Sequence, residues 1–139
     1  MKNEFAFEIA LKLPYEAAVQ KTTAALKEEG FGVLTQIDVK ATLKDKLGED
    51  IRPYTILGAC NPPLAHKAIE SDPLVGVLLP CNVTVRETEG GSMVAFFNPS
   101  VMAEMKGLRG NPGIHEVAEQ ARQRLVRVAQ ALGKESNFD

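Results

Sequence analysis

A long apolar stripe near the end of the chain constrains the fold more than any other feature. Ile114, Val117, Ala118, Ala121, Leu125, Val128 and Leu132 recur at helical spacing, and Gly133 follows as a stop. The other side of this helix carries Arg122, Gln123, Arg124 and Arg127. A helix of this kind must lay its apolar side on a second layer. The start of the chain has the pattern to supply one: Phe5, Phe7, Ile9, Leu11 and Leu13 alternate with Glu4, Ala6, Glu8, Ala10 and Lys12. That is the period of a strand with one buried face.

The intervening residues divide into short elements. Pro14 ends the alternation and suits a helix's first turn; Tyr15, Ala18, Val19, Thr22 and Leu26 then follow at helical spacing, with Gly30 placed to close the helix. A second strand is expected from Gly32 to Ile37, and Asp38 is an N-cap for a short helix through Leu47. Tyr54 to Cys60 reads as a third strand, and Asn61-Pro62 opens a helix to about Glu70. Gly76 and Pro80 break the apolar stretch after Leu74, which predicts a short extended piece and then a strand from Cys81. Glu89, Gly90 and Gly91 make a tight turn, so Ser92 to Phe97 pairs back as a hairpin. Asn-Pro recurs at Asn98-Pro99 and Asn111-Pro112, each before a helical pattern. The order predicts one α+β domain over residues 1–139, a mixed or mainly antiparallel sheet with helices packed on one face.

With 45% hydrophobic and 24% charged residues, a chain of 139 residues has the material for one real core. Sixteen basic against eighteen acidic residues give a net charge of -2, which argues against neutralising nucleic-acid phosphates. No aromatic residues alternate with basic ones as a stacking platform would require, so no nucleic-acid partner is expected. No apolar run approaches the ~20 residues of a membrane span. Glu4 and Glu8 interrupt the only stretch that resembles a targeting signal, and two cysteines are too few for a secreted disulfide scaffold. These readings point to the cytoplasm.

Chemistry is concentrated around two cysteines. Cys60 directly precedes the helix start at Asn61-Pro62, where free N–H groups favour an anion. Cys81, followed by Asn82, falls in phase with Leu79, Val83 and Val85 and is expected to face the core. If their strands are neighbours, Cys60 and Cys81 meet at one edge of the sheet, as a soft-metal pair suited to Cu(I) or as a reversible disulfide; small buried hydrophobes are the plainer reading. Met93, Met102 and Met105 add soft donors but at that spacing usually fill a core. Zinc is disfavoured, since there is no C-x-x-C and only His66 and His115 remain as ligands. His66, six residues after Cys60, would have to reach back one turn to act as a base. The three Asn-Pro starts either gather anion-binding N–H groups or simply cap their helices. Arg122, Arg124 and Arg127 have the look of a solvated face. There is no P-loop and no dinucleotide fingerprint.

Three segments together resemble a known family: Phe5 to Gly30 followed by Phe31-Gly32-Val33, then Cys60-Asn61-Pro62, then Leu78-Leu79-Pro80-Cys81 before a strand. They are similar to the bacterial and archaeal family called domain of unknown function 302, over nearly the whole chain. The resemblance implies a TATA-binding-protein-like α+β fold, an antiparallel sheet with helices on it, and a tendency to dimerise. It implies no reaction and no catalytic residues. The function expected from the residues is a small binding or sensing domain, homodimeric, with a small-molecule or soft-metal ligand near Cys60, Asn61, Cys81 and Asn82. The alternative is a thiol-dependent redox or transferase enzyme using Cys60 as nucleophile. The dimer follows from Met93 to Phe97, which is apolar on both sides and needs a second cover beside the helix layer.

Overall fold

The structure is a computed structural model that describes residues 4–136. Its strands are β1 (Ala6–Leu11), β2 (Gly32–Asp38), β3 (Tyr54–Cys60), β4 (Cys81–Thr88) and β5 (Gly91–Phe97), in the order β1-β5-β4-β3-β2. Every pairing is antiparallel, so the sheet is antiparallel throughout and the fold is α+β. The helices are α1 (Tyr15–Glu28), α2 (Val39–Leu47), α3 (Pro62–Ser71) and α4 (Pro112–Ser136), with 3-10 segments at Pro73–Leu78 and Pro99–Glu104.

Alternation decides which sheet face is covered. Phe7, Leu11, Leu57, Val83, Val85, Val94 and Phe96 are buried together with Ala18 and Leu26 of α1 and Leu125, Val128 and Leu132 of α4. Each side chain of this size contributes about 1.5–3 kcal/mol on burial. Phe7 and Phe96 sit opposite each other in the β1–β5 register with ring centroids 5.2 Å apart, an offset stack that fastens the edge strand β1 to β5. The tyrosine hydroxyl of Tyr15 at the start of α1 contacts Thr55 Oγ1 on β3, tying helix to sheet.

α1 ends as its sequence predicts. Gly30 adopts φ 87°, its N–H bonds the Lys27 carbonyl, and the next N–H, of Phe31, returns to the Leu26 carbonyl. This is a Schellman closure, and Phe31 and Leu26 are both buried in the same core. A side chain at position 30 would also stand 2.9 Å from Asn61 Nδ2.

α4 is one stripe with two partners. Its later residues cover the sheet, while Ile114, Val117, Ala118 and Ala121 join a second core with Leu64 and Ala68 of α3, Val75, Met102 and Leu108. Two expectations change around this second core. The stretch after Leu74 is a 3-10 turn and not extended, because Pro73 opens it and Asp72 caps the Leu74 N–H. Asn98-Pro99 also opens only a 3-10 segment, so Met102 and Met105 are not on an α-helix: Met102 is buried and Met105 is exposed.

Candidate functional site

The three Asn-Pro starts share one construction. Asn61 Oδ1 accepts from the Leu64 N–H at 3.3 Å while its Nδ2 donates to the Glu29 carbonyl at 3.4 Å. Asn98 Oδ1 accepts from the Ser100 N–H, and Nδ2 donates to the Glu4 carbonyl at 3.0 Å. Asn111 Oδ1 accepts from the Gly113 and Ile114 N–H groups, and Nδ2 donates to the Ser71 carbonyl at 3.1 Å. In each case the side chain caps its own helical turn and clamps it to another part of the chain. The N–H groups that an anion would require are therefore already bonded.

Asn61 stands at the edge of a cavity of 320 Å³ between the end of β3, α3 and α4. Its floor is Phe31, Ala59, Leu64, Ala68, Cys81, Met102, Val117 and Ala121, all buried. Its mouth is bordered by Leu34, 69% exposed, and Ile69, 44% exposed. The space exists because alanine occupies positions 59, 65, 68 and 121 where the apolar pattern would accept larger residues.

Three of the four sequence candidates, Cys60, Asn61 and Cys81, line this cavity; Asn82 does not, being exposed on the sheet face away from the helices. In the β3–β4 register Cys81 pairs with Ala59, so these two share the helix-covered face, and Cys60 reaches the cavity from the strand end beside them. Both cysteines are free thiols. Desolvation pushes the Cys81 thiol up to about 11, with a further contribution from the neighbouring Cys60. Cys81 thus stays protonated across the neutral range. Met102 lies in the same wall, and among the described residues no three His, Cys, Asp or Glu side chains gather around a common point.

The histidines stand elsewhere. His66 is exposed and faces Glu70 at 3.7 Å, so it does not turn back toward Cys60, and His115 is bonded through Nε2 to the Arg109 carbonyl. The arginines of α4 are engaged as well: Arg122 with Glu119, Arg124 with the Glu29 carbonyl, and Arg127 with the Glu29 carboxylate. No helix among the described residues is long and apolar enough to cross a membrane.

Reading by sequence alone did not single out Ala65, Ala68, Val117 or Ala121 as a site. The available signal was small residues at facing positions of two apolar stripes, which only becomes a cavity once α3 and α4 are known to pack together.

No curated protein matches this chain. A crystal structure of an uncharacterized conserved DUF302 protein from Bacillus stearothermophilus is similar at 29% sequence identity and a TM-score of 0.80, covering 91% of this chain and 96% of that one. The family model for the domain of unknown function DUF302 matches residues 7–132, which include all of the sheet but Ala6, the cavity and nearly all of α4. The chain therefore belongs to the DUF302 family.

Proposed function

We propose that this protein is a small binding or sensing domain whose ligand occupies the cavity between Cys60, α3 and α4. One observation carries the reading: a cavity of 320 Å³, within the usual size range of small-molecule sites, sits inside the second core with a mouth to solvent. The thiol-enzyme alternative lacks this kind of support, because neither histidine is set beside Cys60.

Xenon tests the reading directly, as an apolar atom that enters dry cavities. Its ¹²⁹Xe chemical shift should move on titration with the protein, and Ala68→Leu and Ala121→Leu, which fill the cavity from facing helices, should each remove that response. A response unchanged in both variants would refute it.

The setting we favour is a cytoplasmic homodimer. The homodimer is supported by the outer side of the β4–β5 hairpin, where Met93 and Ala95 are only half-buried on the face opposite α1 and α4.

A further inference from the structure

We infer that the cavity takes an uncharged, apolar molecule of roughly ten to fourteen non-hydrogen atoms and discriminates against its carboxylate analogues. The inference rests on the reading of the cavity as a ligand site and adds the chemistry of what enters it. Size comes first: a cavity of about 150 Å³ holds one benzene, and this one, at 320 Å³, is about twice as large. A two-ring hydrocarbon or a branched chain of similar bulk fits that space.

Charge comes next. No Asp, Glu, Lys, Arg or His contributes to the lining. The only side-chain amide is that of Asn61, and both its oxygen and its nitrogen are bonded to backbone groups. Cys81 offers a neutral thiol, which is at most a weak donor. Lys67, adjacent in sequence to Ala68, is paired with Glu116. A carboxylate entering here would lose its hydration and find no cation in the wall, only the second N–H of the Asn61 amide and the weak thiol donors of Cys60 and Cys81. The mouth continues the same character through Leu34 and Ile69, and Leu74 and Val77 on the adjoining 3-10 segment are 74% and 83% exposed. An apolar entrance of this kind collects apolar solutes and offers no counter-ion to a charged end left outside.

The experiment is a pair of titrations of the full chain, followed by ¹H–¹⁵N spectra, with 2-methylnaphthalene and with 2-naphthoate, which differ chiefly in methyl against carboxylate. The hydrocarbon should shift the amides of Leu64, Ala68, Cys81 and Ala121, and the carboxylate should bind at least about tenfold more weakly. Ala68→Leu should abolish the hydrocarbon shifts, and Ala121→Leu serves the same purpose if the first variant does not fold. Equal binding of the two compounds at these residues would overturn the ligand class while leaving the cavity as a binding site. No shift with either compound would overturn both. Cavity resonances that respond to protein concentration and not to hydrocarbon would assign the mouth to a second copy of the chain and likewise overturn the proposal.

Discussion

Replacing Asn61 separates its two bonds and shows whether it is a clamp or a ligand contact. Asn61→Ala removes the cap on Leu64, worth about 1 kcal/mol, and the bond to the Glu29 carbonyl. That second bond is long, at 3.4 Å, and the same carbonyl also accepts from Arg124 at 3.1 Å, so it is not left unsatisfied. Its loss belongs at the low end for a neutral hydrogen bond, about 0.5 kcal/mol. The alanine variant should therefore lose about 1.5 kcal/mol, and Asn61→Ser, whose hydroxyl still caps but cannot reach Glu29, about 0.5 kcal/mol. With a urea slope of about 1.5 kcal/mol per molar, the unfolding midpoints fall by about 1 M and about 0.3 M. Circular dichroism during urea titration measures both. Equal losses in the two variants, or an alanine variant indistinguishable from wild type, would refute the clamp. A serine variant that folds normally but no longer binds 2-methylnaphthalene would restore Asn61 as a ligand contact.

Three further outcomes are expected. Burial raises the Cys81 thiol from about 9 in the unfolded chain to about 11 when folded, so stability is undiminished below pH 9 and falls as pH rises through 11, by at most about 3 kcal/mol from two units at 1.36 kcal/mol each; the urea midpoint of Cys81→Ala should show a shallower alkaline slope than wild type, and identical slopes would contradict the burial effect. Thr22 Oγ1 is buried without a hydrogen-bond partner, so Thr22→Val should gain about 1 kcal/mol and raise Tm by about 3 °C; a lower Tm would mean that the hydroxyl is bonded in solution. Light scattering should give about twice the 15.1 kDa chain mass, and Met93→Lys on the outer hairpin face should return it to one chain; a wild-type monomer at micromolar concentration would dispose of the dimer.

The first strand was legible because alternation marks a half-covered sheet, and Phe7 and Leu11 fall where it places them; the Glu89-Gly90-Gly91 turn made the β4–β5 hairpin legible. Helix boundaries followed from Asp38, Asn61 and Gly30, whose capping and left-handed roles depend on a few adjacent residues. The 3-10 segments were not legible, since an Asp or Asn cap followed by a proline opens an α-turn and a 3-10 turn alike, and tertiary packing chooses between them. The cysteines drew attention to the end of the sheet where the cavity lies for a local reason, the helix start after Cys60. The cavity itself depends on facing alanines from α3 and α4, residues 68 and 121, far apart in sequence. Asn82 was misplaced as a neighbour of Cys81 in function because adjacent strand positions face opposite ways.

If the space beside Cys60 and Cys81 is a dry, apolar ligand site, a crystal of the protein equilibrated with 2-bromonaphthalene will reveal it, because bromine scatters anomalously. A single bromine peak should stand between Ala68 of α3 and Ala121 of α4, with Met102 and Cys81 against the rings. Ordered waters filling that space, with bromine found only outside it, would show that it is not such a site.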